Sequence, residues 1–487
     1  HPVTGEEVPD EAAQVAQLAY VNPRKAEWPQ ADFIVGNPPF IGNKRMRDAL
    51  GDGYTQALRA SWHDVPETAD FVMYWWQHAA AATRALRSRR FGFITTNSIT
   101  QVFNRTVVER AGVGLAYAIP DHPWVDSAEG AAVRVAMTVG VPDVGHLGEL
   151  QRVTHEAPGA DDTPDVRLDS RTGKVHANLS VGADVNAAAR LRANAGLSFM
   201  GMIPLGAGFW IDAATATALG AGTVPGLDRH IRRYRNGKDL TGRPRDLLAL
   251  DFFGLTVEEL RSRYPAAYQW LLDRVKPQRD QDKRDSRRRN WWIFAESVPK
   301  FRAASQGLAR YIGTSETAKH RTFTFIEGDI LPDQKIRAVA SDDPVQLGVL
   351  SSQLHVDWTL KTGGTLEDRP VYNNSRCFEP FPFPANDTGL TPDLSDRIRT
   401  LAEQLDAHRK ARQAAHESVT LTGLYNVLAK LRRAEPLTAK DKLLHEQGLV
   451  GVLHSLHEEL DAAVLAAYGW SDLGPVPWSD DEAHRAW

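Results

Sequence analysis

A hydrophobic run that stops short constrains this chain more than any other feature. In ADFIVGNPPFIGNKRM, Phe33, Ile34 and Val35 read as a short buried strand, and Gly36 lets the backbone turn before Pro38 and Pro39. Proline has no amide donor and a fixed φ, so neither a sheet ladder nor a helix passes through such a pair. The strand must end at Asn37 and hand over to a loop of defined shape. Around it, short apolar stretches such as DFIVG and FGFITTN alternate with helical ones such as DFVMYWWQHAAAATRALRSRR. That alternation is the pattern of an α/β domain.

The rest of the chain divides by texture. Residues 1–146 carry the α/β alternation, with the first strand only after Ala31. Residues 147–198 are polar and turn-rich, with EAPGADDTPD an expected exposed loop, and read as a connector or small insertion. Residues 199–385 interleave aromatic and basic residues in a mixed pattern. Residues 386–487 turn helical, with apolar residues at helical spacing in LSDRIRTLAEQLDAHRKARQAAHES and EQGLVGVLHSLHEELDAAVLAAYGW.

Composition narrows the class. A chain of 487 residues, 42% hydrophobic and 24% charged, can bury two or three cores. Its single cysteine, Cys377, excludes a disulfide framework, and no zinc-site spacing of Cys and His is present, so no metal is expected. No apolar run is long enough to span a membrane, and the first residues lack the pattern of a signal peptide. The expectation is a cytoplasmic protein with no membrane partner. A net charge of -4 argues against a uniformly basic coat, so local charge has to decide whether nucleic acid is bound.

The Asn-Pro-Pro-Phe loop suits one kind of chemistry. The exocyclic amino group of adenine is a poor nucleophile, because its lone pair is delocalised into the ring. Two fixed acceptors, the Asn37 side-chain oxygen and the Pro38 carbonyl, would favour a pyramidal nitrogen able to attack a methyl sulfonium. Phe40 would offer a face on which an extruded base stacks. A Pro-Pro turn after a strand needs no function when taken alone; its company decides.

That company resembles an amino-group DNA methyltransferase of the adenine-N6 type. IVGNPPF is similar to the catalytic motif of the class, ADFVMYWWQHAA to the helix after it, and GFITTNSITQVFNR to the next strand and loop. The pieces TNSI, GAAVRVAM, RNGKDL, DFFG, KHRTFTF, LGVLSSQLHVDW, PFPFP and LTGLYN extend the resemblance, from about Val21 to Trp470, to the MmeI-like branch of type IIG/IIL restriction-modification enzymes and related phage-defence proteins. The resemblance implies a partial Rossmann-like class I methyltransferase domain at 1–146. An α+β target-recognition domain at 199–385 and a helical C-terminal region at 386–487 would follow. It implies an adenine-specific methyltransferase that takes methyl from S-adenosylmethionine, flips its target out of double-stranded DNA, and uses Asn37, Pro38, Pro39 and Phe40 as the catalytic loop.

Complete members carry, ahead of the catalytic motif, a glycine-rich turn for the methionine group of the cofactor and an acidic residue for its ribose. Neither can be placed before Asn37, so cofactor-binding residues stay unassigned. The expectation is a chain that lacks this cofactor-binding part and is inactive alone, with an upstream methyltransferase or nuclease segment or subunit as partner. AGVGLAY and PLGAGFW are weak glycine candidates. Two other readings stand beside this one: a non-catalytic DNA-recognition subunit, and methylation of a protein side-chain amide, which uses the same acceptor motif.

Other residues take expected roles. Asp70 either caps a helix or touches the flipped base or the cofactor side. Asn97, at a strand end on the carboxyl edge of the sheet, shapes the active-site loop. Asn104 and Arg105 support the same mouth or contact phosphate. Between Arg274 and Arg302, ten Lys/Arg stand against four Asp/Glu, with Trp291 and Trp292 among them. The DNA face is therefore placed on Arg279, Arg284, Arg287, Arg288, Arg289, Lys319, His320 and Arg321. Arg232, Arg233, Arg235 and Lys238 form a second basic cluster. His445, His454 and His457 read as exposed helix histidines, and Cys377 as a packing residue.

Overall fold

The computed structural model describes residues 20–124, 133–158, 164–185, 188–366 and 369–487. They fall into two compact units, one ending at Asp184 and the other running from Val185 to Trp487.

The first unit is an α/β layer structure. Its elements are β1 (Phe33–Gly36), α1 (Met46–Leu50), α2 (Asp52–Ser61), α3 (Val72–Arg84), β2 (Arg90–Thr96), α4 (Val102–Arg110), β3 (Gly114–Trp124), β4 (Val133–Val141), β5 (Gly148–Pro158) and β6 (Pro164–Gly173). They make one six-stranded sheet in the order β1-β2-β4-β3-β5-β6. β1 runs parallel to β2, β4 lies antiparallel between β2 and β3, and β5 is parallel to β3 but antiparallel to β6.

Helix α3 explains why the sheet holds. Ten of its thirteen residues are buried, from Val72 to Thr83. The small side chains of Ala79, Ala80 and Ala82 let its backbone approach the sheet. Trp76 is fully buried, stands edge-on to Phe91 with ring centroids 5.1 Å apart, and donates its indole N–H to Thr138 Oγ1 on β4 at 3.1 Å. Such an aromatic contributes both apolar area and a satisfied polar handle. Gly140 is needed opposite, since a Cβ there would lie 2.0 Å from the Phe91 ring.

Two sequence expectations change. Gly36 is the last residue of β1 rather than a turn, and glycine is required because a Cβ would sit 2.9 Å from the Phe93 ring. The stretch 147–198, read as a connector, contains β5 and β6, long partners that extend the same sheet. Glu156 and Pro158 of the presumed loop lie in β5, whereas 159–163 lie outside the described residues.

The second unit joins small sheets to helices. One four-stranded sheet orders Ile330–Pro332, Ile231–Arg235, Leu248–Leu250 and Trp210–Ile211; another orders Thr324–Glu327, Arg310–Ser315, Ile336–Val339 and Ser198–Met200. The helices Pro392–Ala415, Leu421–Arg432, Ala439–Gly448 and Val450–Ala467 follow. They pack on these sheets within the unit: Arg409, 1% exposed, donates to Phe323 O at 2.7 Å and Tyr425 Oη at 3.1 Å, and Thr324 Oγ1 donates to Asp406 at 2.6 Å. The chain is thus an α/β domain, an α+β region and a helical C-terminal region. No described helix is long and apolar enough to cross a membrane.

Candidate functional site: an acceptor loop held by Asp70

Because β1 and β2 are parallel, the loops after Gly36 and after Thr96 leave the same carboxyl edge of the sheet, where open α/β sheets bind ligands. Asn37 is exposed, Pro38 is buried and fixes the loop, Pro39 is exposed and Phe40 is half-buried. Among the described residues no hydrogen bond engages the Asn37 side chain or the Pro38 carbonyl. The loop is closed behind them by Ile41 N–H donating to Pro39 O at 3.1 Å, and tied to the start of α3 by Phe71 N–H donating to Ile41 O at 2.9 Å.

Asp70 does something the sequence reading did not foresee. Its side chain caps no helix: the N-cap of α3 is Phe71, without a side-chain bond. Instead one carboxylate oxygen accepts from Asn43 N–H at 2.9 Å, and the other accepts from Ser98 Oγ at 2.8 Å and Asn104 Nδ2 at 2.7 Å. Asn104, fully buried, closes the lock by accepting Asp70 N–H at 2.9 Å and donating to Ser98 O at 3.1 Å. Asp70 therefore joins three pieces: the segment after Phe40, the loop after β2, and α4. Three protein donors engage its carboxylate, which gives it a structural task in this loop. Asn43 and Ser98, absent from the expected site, belong to it through contacts across the fold that no local pattern announces.

Asn97 turns away from this lock. Its Nδ2 donates to Asp121 Oδ1 at 3.0 Å and its Oδ1 accepts Asp121 N–H at 3.2 Å. Asp121 has φ 56, at a register shift of β3, and also accepts from Arg134 Nε at 3.1 Å. Asn97 thus pins a bulge at the rim of the same edge. The signal in the sequence is Pro120-Asp121-His122-Pro123, since prolines and a left-handed Asp inside a strand mark a bulge. Arg105 is 3% exposed and paired with Glu109 at 3.0 Å, so it supports the fold and contacts no phosphate.

The glycine clusters sit elsewhere. Gly112 precedes β3 and Gly114 begins it; β3 runs parallel to β1 and β2 through its pairing with β4, so both lie at the opposite edge from Asn37. In PLGAGFW, a Cβ on Gly208 would lie 2.6 Å from Arg274, and its carbonyl accepts from Trp270 Nε1 at 2.7 Å. Both clusters serve turns and packing. The described residues form no glycine-rich turn beside β1 for a methionine group.

The expected DNA face divides. Arg279 is 1% exposed and donates to Leu205 O at 2.9 Å, Pro204 O at 2.9 Å and Ile293 O at 2.7 Å, and burial pushes its guanidinium down to about 10. Arg321 is 7% exposed and donates to Thr314 Oγ1 and Pro370 O, both at 3.0 Å. Both are internal braces, which corrects their placement on a DNA surface. Trp291 is buried against Tyr268, and Trp292 donates to Leu255 O at 2.9 Å, so these tryptophans are core rather than base-stacking partners. Arg287 is largely covered and bonds Glu296 at 2.9 Å; His320 is half-buried, its Nε2 2.9 Å from Asn426 Oδ1. Arg284, Arg288 and Arg289 remain at the surface beside Glu296 and Asp285, and Lys319 is exposed. In the second cluster Arg233 pairs with Asp329 at 2.6 Å, and Lys238 is exposed. Arg279→Met should therefore lower stability by about 2–3 kcal/mol, as three carbonyls lose a charged donor. Urea midpoints read this, and the salt dependence of DNA binding should stay as in the parent chain.

A parallel strand pair presenting an Asn-Pro-Pro-Phe loop at its carboxyl edge, followed by antiparallel β4, defines the methyltransferase class of α/β domain. Residues 4–152 match the family model described as the MmeI DNA-methyltransferase domain, and residues 206–385 the model described as the MmeI target recognition domain. Together these spans cover more than half of the chain, which belongs to the MmeI family. Among solved structures, that of the type IIL restriction-modification enzyme MmeI in complex with DNA is similar, with a TM-score of 0.65 at 20% sequence identity, over 90% of this chain and 54% of that one. The chain thus spans about half the length of that relative. The type IIG restriction endonuclease BpuSI, at 10% identity over the same shares of both chains, superimposes with a TM-score of only 0.29. No curated protein matches.

Proposed function

We propose that this chain supplies the base-acceptor and target-recognition parts of a site-specific DNA methyltransferase of restriction-modification or phage defence, acting on adenine N6 in duplex DNA. What carries the reading is the pair of unengaged acceptors, Asn37 Oδ1 on an exposed residue and the carbonyl of the buried Pro38, on a loop that Asp70 holds from behind. Aimed at the amino group of a base turned out of the helix, they stabilise the nitrogen as its lone pair localises. Being fixed, they need no reorganisation as charge develops. Phe40 then provides the stacking face. The amino proton leaves to solvent, so no general base is required.

S-adenosylmethionine is the methyl donor in this reading. The described residues give it no cradle, so what the chain contributes is the acceptor half of the reaction. The edge of β1 supports an additional partner: Phe33 is 60% and Val35 84% exposed, whereas strands of parallel sheets are normally covered on both faces. A further strand paired along the open edge of β1, with a helix laid over the face that Phe33 and Val35 share, would cover them and carry the glycine-rich turn, whether from an upstream segment or a separate subunit. Exposed Arg284, Arg289 and Lys319, with half-buried Arg288 beside them, would meet the DNA backbone.

Transfer of labelled methyl to mixed-sequence duplex DNA tests the proposal, with this chain alone and with a cofactor-binding part restored. Label in N6-methyladenine only in the second case is expected. Absence of label in both, with DNA still bound, would leave a recognition subunit instead.

A further inference from the structure

A cleft in the second unit, of about 280 Å³, has no part in the acceptor chemistry. Its walls come from the segment 319–321, the helix Gln353–Thr362, the helix Leu421–Arg432 and the tail around Trp478. Four cationic side chains line it, Lys319, Arg321, Arg432 and Arg433, against one carboxylate, Asp357. That carboxylate is already used: it accepts from Gln353 Nε2 at 2.8 Å and faces His484 Nε2 at 3.1 Å.

Arg432 is the informative residue. Its guanidinium lies 4.0 Å over the Trp478 ring, and its Nε is buried without a hydrogen bond. Among the described residues no carboxylate pairs with it, and burial works against its charge. Asp461 is close enough to matter electrostatically, but it is itself buried and accepts Gln353 N–H at 2.7 Å, and burial pushes its carboxyl up to about 7, which weakens it as a counter-ion. A half-buried guanidinium with a buried, unbonded Nε and only through-space attraction from Asp461, Glu458 and Asp357 is poorly compensated, and an external anion would relieve that cost. The floor is rigid: Tyr425 Oη bonds His457 Nε2 at 2.8 Å and Arg409 at 3.1 Å. Lys319 stands exposed at the mouth.

We propose that this cleft is a phosphate-binding site, in which Arg432 and Lys319 bind one phosphoryl group between the recognition region and the C-terminal helices. Arginine presents a planar fork and lysine a mobile point charge, the pair that recurs where phosphate is recognised. If the phosphate belongs to DNA, the inference deepens the DNA reading above and gives the C-terminal helices a share in gripping the duplex. If it belongs to a free nucleotide, the cleft is an effector site.

The test uses the whole chain, with variants Arg432→Gln and the exposed Lys319→Gln, which does not threaten folding. Anisotropy of a labelled mixed-sequence duplex is followed against salt, and thermal shifts are recorded with inorganic phosphate and with AMP. A DNA phosphate predicts that each variant reduces the magnitude of the log–log salt slope by about 0.9, with no shift from AMP. A free nucleotide predicts a thermal shift with AMP or phosphate that Arg432→Gln abolishes, and unchanged slopes. Unchanged slopes together with no shift from either anion would overturn the proposal. Failure of the parent chain to bind duplex at all would sink the DNA reading instead, and the anion measurements would then judge the site alone.

Discussion

Asn37→Ala is expected to slow methyl transfer to adenine by about 10²–10³-fold, the loss seen when one preorganised polar group is removed from a developing charge. The substitution takes away the only side-chain acceptor of the Asn-Pro-Pro-Phe loop and leaves the Pro38 carbonyl, so the amino group keeps one of its two partners. Asn37 is exposed and bonds nothing within the described residues, so the fold should not notice the change. DNA affinity should stay within a few-fold, because the proposed phosphate contacts lie on other residues. Single-turnover transfer, measured with the cofactor-binding part present and DNA saturating, separates chemistry from binding. Asn37→Asp should recover part of the rate, since a carboxylate still accepts. A transfer rate within threefold of the parent for the alanine variant would remove the loop from the chemistry.

How far the sequence exposes this site depends on whether the determining rule is local. Two prolines end a strand wherever they stand, so β1 and its loop are legible from Phe33 to Phe40, although the strand is not the buried one its apolar residues suggest, since Phe33 and Val35 are exposed among the described residues. Helix α3 is legible because its burial is nearly continuous. The hairpin β5/β6 is not: beyond Leu150 its side chains are mostly exposed or half-exposed, so it lacks the one-sided apolar alternation by which a strand is recognised. A charge run is a weaker guide still, because it counts cations without saying where they point. Arg279 and Arg289 are ten residues apart in the same basic stretch, yet one bonds three carbonyls inside the protein and the other sits at the surface beside Asp285. Asp70 and Asn104 each stand out in the sequence, but their bond joins residues 34 positions apart and belongs to the tertiary structure alone.

That bond underlies the second large effect. Asp70→Ala leaves Asn43 N–H without its acceptor, and leaves the fully buried Asn104 amide with Ser98 alone and Ser98 Oγ with Thr96 Oγ1 and Asn104. A stranded polar group costs about 1–3 kcal/mol and the two weakened ones add to it, so a loss of about 2–4 kcal/mol in stability is expected, read as a shift in urea midpoint. Activity should fall further than stability requires. With Asn43 released, the segment after Phe40 can drift, and a displacement on the order of 1 Å at a reacting centre costs about 100-fold. Asp70→Asn separates the two effects. Its remaining oxygen can still accept from Asn43, while its new amide opposes that of Asn104, donor against donor, and Ser98 can turn to accept. The loop tie would survive and the α4 tie would weaken, giving a smaller loss of rate than alanine at a comparable loss of stability. A positioning role requires the loss to appear in kcat at 10 °C, where both variants remain folded, with DNA affinity unchanged. Equal, small losses in both variants would mean that Asp70 only stabilises the fold and leaves the acceptor loop where it was.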